Sequence, residues 1–128
     1  SFAGVLGHPA AIGETYHITG DEVLTWDAIA TALAHAAGVA DPDIVHVASE
    51  TIAKVIPSIG PGLVGDKAHS VVFDNSKVRA LRPGFAQRVR FERGARQIIE
   101  AHDSRPDLQR VDAELDAGLD RLVALARG

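Results

Sequence analysis

Cysteine and methionine are both absent from this 128-residue chain. Without cysteine there is no disulfide and no thiolate metal site, which fits a reducing, cytoplasmic setting. Aromatic residues make up only 5%, too few for the stacking platforms that hold single-stranded nucleic acid. Thirteen Lys and Arg stand against seventeen Asp and Glu, for a net charge of −4, so a basic nucleic-acid surface is not expected. No apolar run approaches the roughly 18 residues that a membrane span requires. The opening SFAGVLGHPAAIG has no basic stretch followed by a long apolar run, which argues against a signal peptide. It reads instead as the second half of a helix whose start lies upstream. The expectation is therefore a piece of a larger cytoplasmic protein that binds neither nucleic acid nor membrane.

What is present is an ordinary globular composition, 46% apolar and 23% charged, at a length that suits one domain spanning residues 1–128. Residues Thr15–Ile18 read as a short strand followed by a turn at Thr19-Gly20-Asp21. Thr25 then serves as an N-cap, with Asp27 in the first turn of a helix. Trp26, Ile29, Ala30, Leu33, Ala34 and Ala37 fall on one 3.6-residue stripe, which predicts a buried face. Gly38 stops this helix, with His35 in its last turn.

Asp41-Pro42-Asp43 breaks the chain, and Ile44 to Ala48 reads as a mostly buried strand. Ser49 opens a short helix that Pro57 ends. The two prolines and three glycines between Pro57 and Asp66 predict a loop. Ser70–Phe73 reads as a β-branched strand, followed by Asp74 as the cap of a short helix through Leu81. Phe91, Ala95, Ile98 and Ile99 mark a further helix, with Arg90, Arg93 and Arg96 on its polar side. A final helix is expected from about Pro106, with Leu108, Val111, Leu115, Leu119, Leu122 and Ala126 on its apolar stripe. The overall expectation is an α+β domain, rich in helix, with short strands.

The motif search excludes more than it finds. Gly60-Pro61-Gly62-Leu63-Val64-Gly65 matches G-x-G-x-x-G, but a dinucleotide site needs a strand before it and a helix after it. A proline-broken segment precedes these glycines and a strand pattern follows. The six histidines are scattered without H-E-x-x-H spacing. There is no G-x-S-x-G turn, so a hydrolase triad has no nucleophile to build on. The acidic residues of 112–120 read as a solvated helix face.

Two blocks, GETYHITGDEVLTWDAIATALAHAAG from Gly13 to Gly38 and GDKAHSVVFDNSKVRALRPGF from Gly65 to Phe85, carry a resemblance. Asp74-Asn75-Ser76-Lys77 is similar to a D-x-S-K element, and Phe91-Glu92-Arg93-Gly94 to a second landmark. In this order they resemble the C-terminal, substrate-binding half of the extended short-chain dehydrogenase/reductases, the NAD-dependent epimerase/dehydratase family. The resemblance implies a parent enzyme with NAD or NADP on an N-terminal Rossmann domain. The present chain would close over a small-molecule substrate such as a sugar or nucleotide-sugar, in a homo-oligomer.

The family's catalytic tyrosine and lysine are spaced Y-x-x-x-K. The single tyrosine here, Tyr16, is followed four residues on by Gly20, so the pair is not in this segment and no catalytic residue is assigned. Nor is any cofactor-binding or metal-binding residue, and the segment alone is expected to hold no cofactor. Sugar-nucleotide members place a diphosphate-binding arginine just before the strand that corresponds to Ser70–Phe73. At that place this chain has Lys67 and His69, and they, with Lys77, are its candidate substrate-binding residues. Two readings from other classes compete: a stand-alone binding or oligomerisation module without activity, and a small intact enzyme using histidines and carboxylates.

Overall fold

A computed structural model describes residues 2–128. The elements in order are α1 (Phe2–Val5), a 3₁₀ turn at Pro9–Ala11, α2 (Trp26–Ala36), α3 (Ser49–Val55), α4 (Gly60–Gly62), α5 (Ser76–Leu81), α6 (Phe91–Asp103), a second 3₁₀ turn at Pro106–Leu108, and α7 (Ala113–Arg127). α4 runs directly into a π-helical turn over Leu63–Lys67. There is no β-strand among the described residues. The α+β expectation is therefore wrong, and the chain is helical with long non-helical connections.

The physical reason is that a helix satisfies its backbone within itself, while a strand exists only against a second strand in register. The segments 15–18 and 70–73 do come together, but through side chains. His17 meets Phe73 edge-to-face, with ring centroids 5.0 Å apart, and the Asn75 amide donates to the Thr19 carbonyl at 3.0 Å. No backbone ladder joins them. Val71, Val72 and Phe73 stay exposed, and residues 44–48 likewise form no strand. The β-branched composition was read as strands, and no strand forms.

α2 forms as its caps dictate. Thr25 Oγ1 accepts from the N–H of Ala28 at 3.1 Å, and Asp27 lies in the first turn. At the other end Gly38 takes φ +86°. That lets its own N–H reach the His35 carbonyl at 3.1 Å and the Val39 N–H reach the Ala34 carbonyl at 2.9 Å. This pair of bonds closes the last turn around a left-handed residue, a conformation glycine adopts without strain. The His35 ring adds a contact to the Ala40 carbonyl at 3.0 Å.

The expected burial of the α2 stripe is corrected in part. α2 packs along α6, with Ile29 and Leu33 half-buried, but Trp26 at its start is 68% exposed. The core is small. Among the described residues only Ile56, Val78, Ala95 and Leu122 are buried apolar side chains, joined by Gly60 on α4 and Gly118 on α7. α3 packs on α7 with Ile56 against Gly118; a Cβ there would sit 2.8 Å from Ile56 Cδ1. Gly60 is close-packed too, since a Cβ would come within 2.8 Å of Ala53 Cβ. The predicted loop after Pro57 is thus a helical turn folded onto α3, and its first glycine permits close packing.

The final helix also departs from its expected start. Residues Pro106–Leu108 form a separate 3₁₀ turn, and α7 starts afresh at Ala113. Asp112 caps it, its carboxylate accepting from the N–H groups of Glu114 and Leu115, each at 3.1 Å. Leu108 and Val111 therefore lie outside the helix and are exposed.

Candidate functional site

The turn Thr19–Glu22 is the point where distant parts of the chain meet. Asn75, just before α5, donates to the Thr19 carbonyl and to Asp21 Oδ1 at 2.8 Å. Arg79 on α5 pairs with the other oxygen of Asp21. Gln87, in the loop before α6, accepts from the N–H of Asp21 at 3.1 Å through Oε1. Its amide nitrogen donates to Glu22 Oε2 at 2.6 Å and to the Val89 carbonyl at 2.9 Å. That same Glu22 oxygen accepts from the N–H of Phe91 at 2.8 Å, so a carboxylate 69 residues away in sequence satisfies the first amide of α6. A free helix N-terminus favours such a negative group.

Gly20 is required for this junction. A Cβ at this position would overlap Gln87 Oε1.

Two cavities flank the turn and share Thr19 and Gly20. The larger, of about 800 Å³, lies between α1, the turn and the loop of residues 82–89. The only charged side chains in its lining are Arg82 and Arg88. The second, of about 640 Å³, lies on the other side, against Val71, Val72 and Phe73, and carries Asp21, Glu22 and Asp74. The Thr19 hydroxyl, between them, is buried and has no hydrogen-bond partner among the described residues. A buried hydroxyl left unpaired is uncommon and costs free energy.

None of the three candidate substrate residues lines either cavity. Lys67, at the end of the π-helical turn, is exposed and pairs with its neighbour Asp66 at 3.1 Å. His69 is exposed in the following bend. Lys77 on α5 is committed to Glu14 at 2.6 Å, with its ammonium 4.9 Å from the centre of the Tyr16 ring. Hydrogen bonding from Lys77, then its charge, holds the Glu14 carboxyl below its ordinary range. The same bond raises Lys77 above the usual amine value.

Tyr16 and Lys77 therefore touch in space without the Y-x-x-x-K spacing. The ammonium lies over the ring face, and the Tyr16 hydroxyl donates to the Ala10 carbonyl at 3.2 Å, so no proton relay runs between them. Asp74 is not the cap it was expected to be: Asn75 holds the N-cap position of α5 without a side-chain cap bond, and Asp74, one residue earlier, binds Ser76. The N–H of Ser76, at 2.8 Å, and then the Ser76 hydroxyl hold the Asp74 carboxyl below the usual carboxylate range.

Sequence reasoning missed the junction residues Glu22, Asn75, Arg79 and Gln87, together with Arg82 and Arg88. The signal available was weak: an acidic pair after a Thr-Gly turn and an arginine-bearing Pro-Gly loop, both common on surfaces. No group of three or more metal-capable side chains gathers among the described residues, and no helix there is long and apolar enough to cross a membrane. Compared with protein-family models, curated proteins and solved structures, the chain matches none.

Proposed function

We propose that this chain is the substrate-binding part of a cytoplasmic NAD(P)-dependent oxidoreductase of the epimerase/dehydratase kind. The observation that carries the proposal is the exposed surface. The chain exposes 9719 Å², whereas a compact protein of its 13.5 kDa exposes about 6,500 Å². The surplus of about 3,200 Å² exceeds what one partner loses in a standard interface, about 800 Å². It suits a second body of domain size. Phe2, Leu6, Val71, Val72 and Phe73, all more than half exposed, supply the apolar contact such a body needs.

The order of the sequence motifs says which body that is: a Rossmann half carrying NAD or NADP and the tyrosine–lysine pair. The present chain then contributes side chains toward a small-molecule substrate, with Lys67 and His69 as the candidates nearest the start of the exposed apolar segment. The same surplus surface also supports the reading of a binding or oligomerisation module that meets its partner on another chain.

The protein expressed together with its upstream coding sequence tests this. It is expected to contain Y-x-x-x-K, to bind NAD or NADP by calorimetry, and to turn over. Lys67→Ala in that protein is expected to raise KM for substrate and leave cofactor affinity unchanged. The 128-residue chain alone is expected to bind neither cofactor, because nothing in it presents a glycine turn and helix N-terminus to a pyrophosphate. An upstream region lacking both motifs would overturn the proposal. An unchanged KM would return Lys67 to a solvent charge.

A further inference from the structure

We infer that the cavity between α1 and the 82–89 loop is a binding site for a small phosphate-bearing anion, with Arg82 and Arg88 as its recognition groups. The inference stands on this chain alone, whether or not an enzyme surrounds it.

Charge is the first argument. The protein as a whole carries −4, yet this cavity holds two arginines and no carboxylate in its lining. Most cations of the chain are neutralised: Lys67, Lys77, Arg79, Arg90, Arg96, Arg105 and Arg127 each pair with a carboxylate. Arg82 and Arg88 have no such partner among the described residues, and neither donates a side-chain hydrogen bond there. Two arginines in the lining of one concavity, neither paired with a carboxylate among the described residues, match an anion with several oxygens.

Position is the second argument. Arg82 is laid against the α1 backbone at Gly4, where a Cβ would stand 3.1 Å from its Nε and 3.2 Å from its Cζ. The glycine therefore leaves the room that the guanidinium occupies. The loop that carries both arginines is anchored by Gln87, whose amide is fully engaged with Asp21, Glu22 and Val89. Gln87 holds the loop and is not free to bind. The backbone N–H groups of Ala86 and Arg88, in the same lining, have no partner among the described residues, and they add uncharged donors beside the arginines. A cavity of about 800 Å³ accommodates a small molecule.

Inorganic pyrophosphate is the probe, titrated by calorimetry into the 128-residue chain, with malonate at equal concentration as the carboxylate comparison. Binding of pyrophosphate is expected to weaken about tenfold in Arg82→Gln and again in Arg88→Gln, the loss typical of a charge-assisted bond. Arg93→Gln, an exposed and unpaired arginine outside the cavity, is expected to leave it unchanged. Gly4→Val keeps both charges but drives a side chain onto Arg82, and is expected to weaken binding as Arg82→Gln does. Helical circular dichroism of each variant separates lost binding from lost folding, and Arg88→Lys replaces any variant that does not fold.

Four results would overturn the inference: no pyrophosphate binding by the folded chain, a wild-type chain that is not folded, malonate binding as tightly as pyrophosphate, or an equal loss in Arg93→Gln. Failure here leaves the oxidoreductase proposal intact, since that rests on the upstream motifs and on cofactor binding.

Discussion

Gly20 shows how one atom organises a molecule. Its missing Cβ is the space that Gln87 Oε1 occupies, and Gln87 in turn ties the turn to the α6 N-terminus through Glu22. Gly20→Ala is expected to destabilise the chain by about 1–3 kcal/mol, the range for breaking a packed hydrogen-bond junction. Gln87→Ala in the same background is expected to recover part of that loss, because the clash goes with the amide. A urea-denaturation cycle over the four proteins measures it, and strict additivity would show that the two residues are not coupled.

The Glu14–Lys77 pair gives a pH signature at the same scale. Glu14 is held low, so its contribution is present above its unfolded value and lost as pH falls through the folded one. Lys77 is raised, so its contribution is present below its unfolded value and lost as pH rises through the folded one. The window runs from about pH 4.3 to about pH 10.4. The difference in Tm between wild type and Glu14→Gln is expected to be small but constant inside that window and to shrink as pH falls below it through the lowered folded value of Glu14. Both side chains are half exposed, so added salt is expected to shrink the difference. A difference that does not shrink as pH falls below the window would place its cause elsewhere.

At the scale of elements, end signals were more readable than pairing. Thr25 and Gly38 were legible because capping is chemistry within four residues of the chain. Asp112 has the same character, with Glu114 and Asp116 in the first turn behind it. The run of apolar residues from Leu108 hid it by suggesting one longer helix. Asp112→Ala is expected to cost about 1 kcal/mol and to fray the start of α7, read from denaturant midpoints and from amide exchange at Glu114 and Leu115. Full retention of protection there would show that packing on α3 alone sets the start of the helix. The 15–18, 44–48 and 70–73 segments failed in the opposite way. Their side chains fit a pleated surface, but whether a strand forms is decided by a neighbouring backbone that no local pattern contains.

For the whole molecule the governing quantity is exposed apolar surface. Apolar area contributes about 25 cal/mol per Å² when buried, so exposed Phe2, Leu6, Trp26, Val71, Val72 and Phe73 favour association. Sedimentation of the 128-residue chain is expected to show a mass that rises above 13.5 kDa with concentration. Phe73→Asp, which places a charge in the middle of the exposed run, is expected to shift the midpoint of association upward in concentration. A strict monomer at high concentration would count against the covered-surface argument and against the proposal built on it.

By itself the sequence determined what depends on near neighbours: the two caps of α2, where the chain must bend, and which chemistries have no residues to perform them. Thr25 needed only an amide a few positions on. Tertiary structure alone decided what depends on distance. It turned three β-branched runs into unpaired connections and folded Gly60 onto Ala53 instead of leaving it in a loop. It also spent Lys77 on Glu14 and left Arg82 and Arg88 without a carboxylate beside one cavity. The reason is physical. A cap is satisfied within one turn of chain, whereas a strand, a close-packed glycine or a free cation is defined by what the rest of the chain brings alongside it.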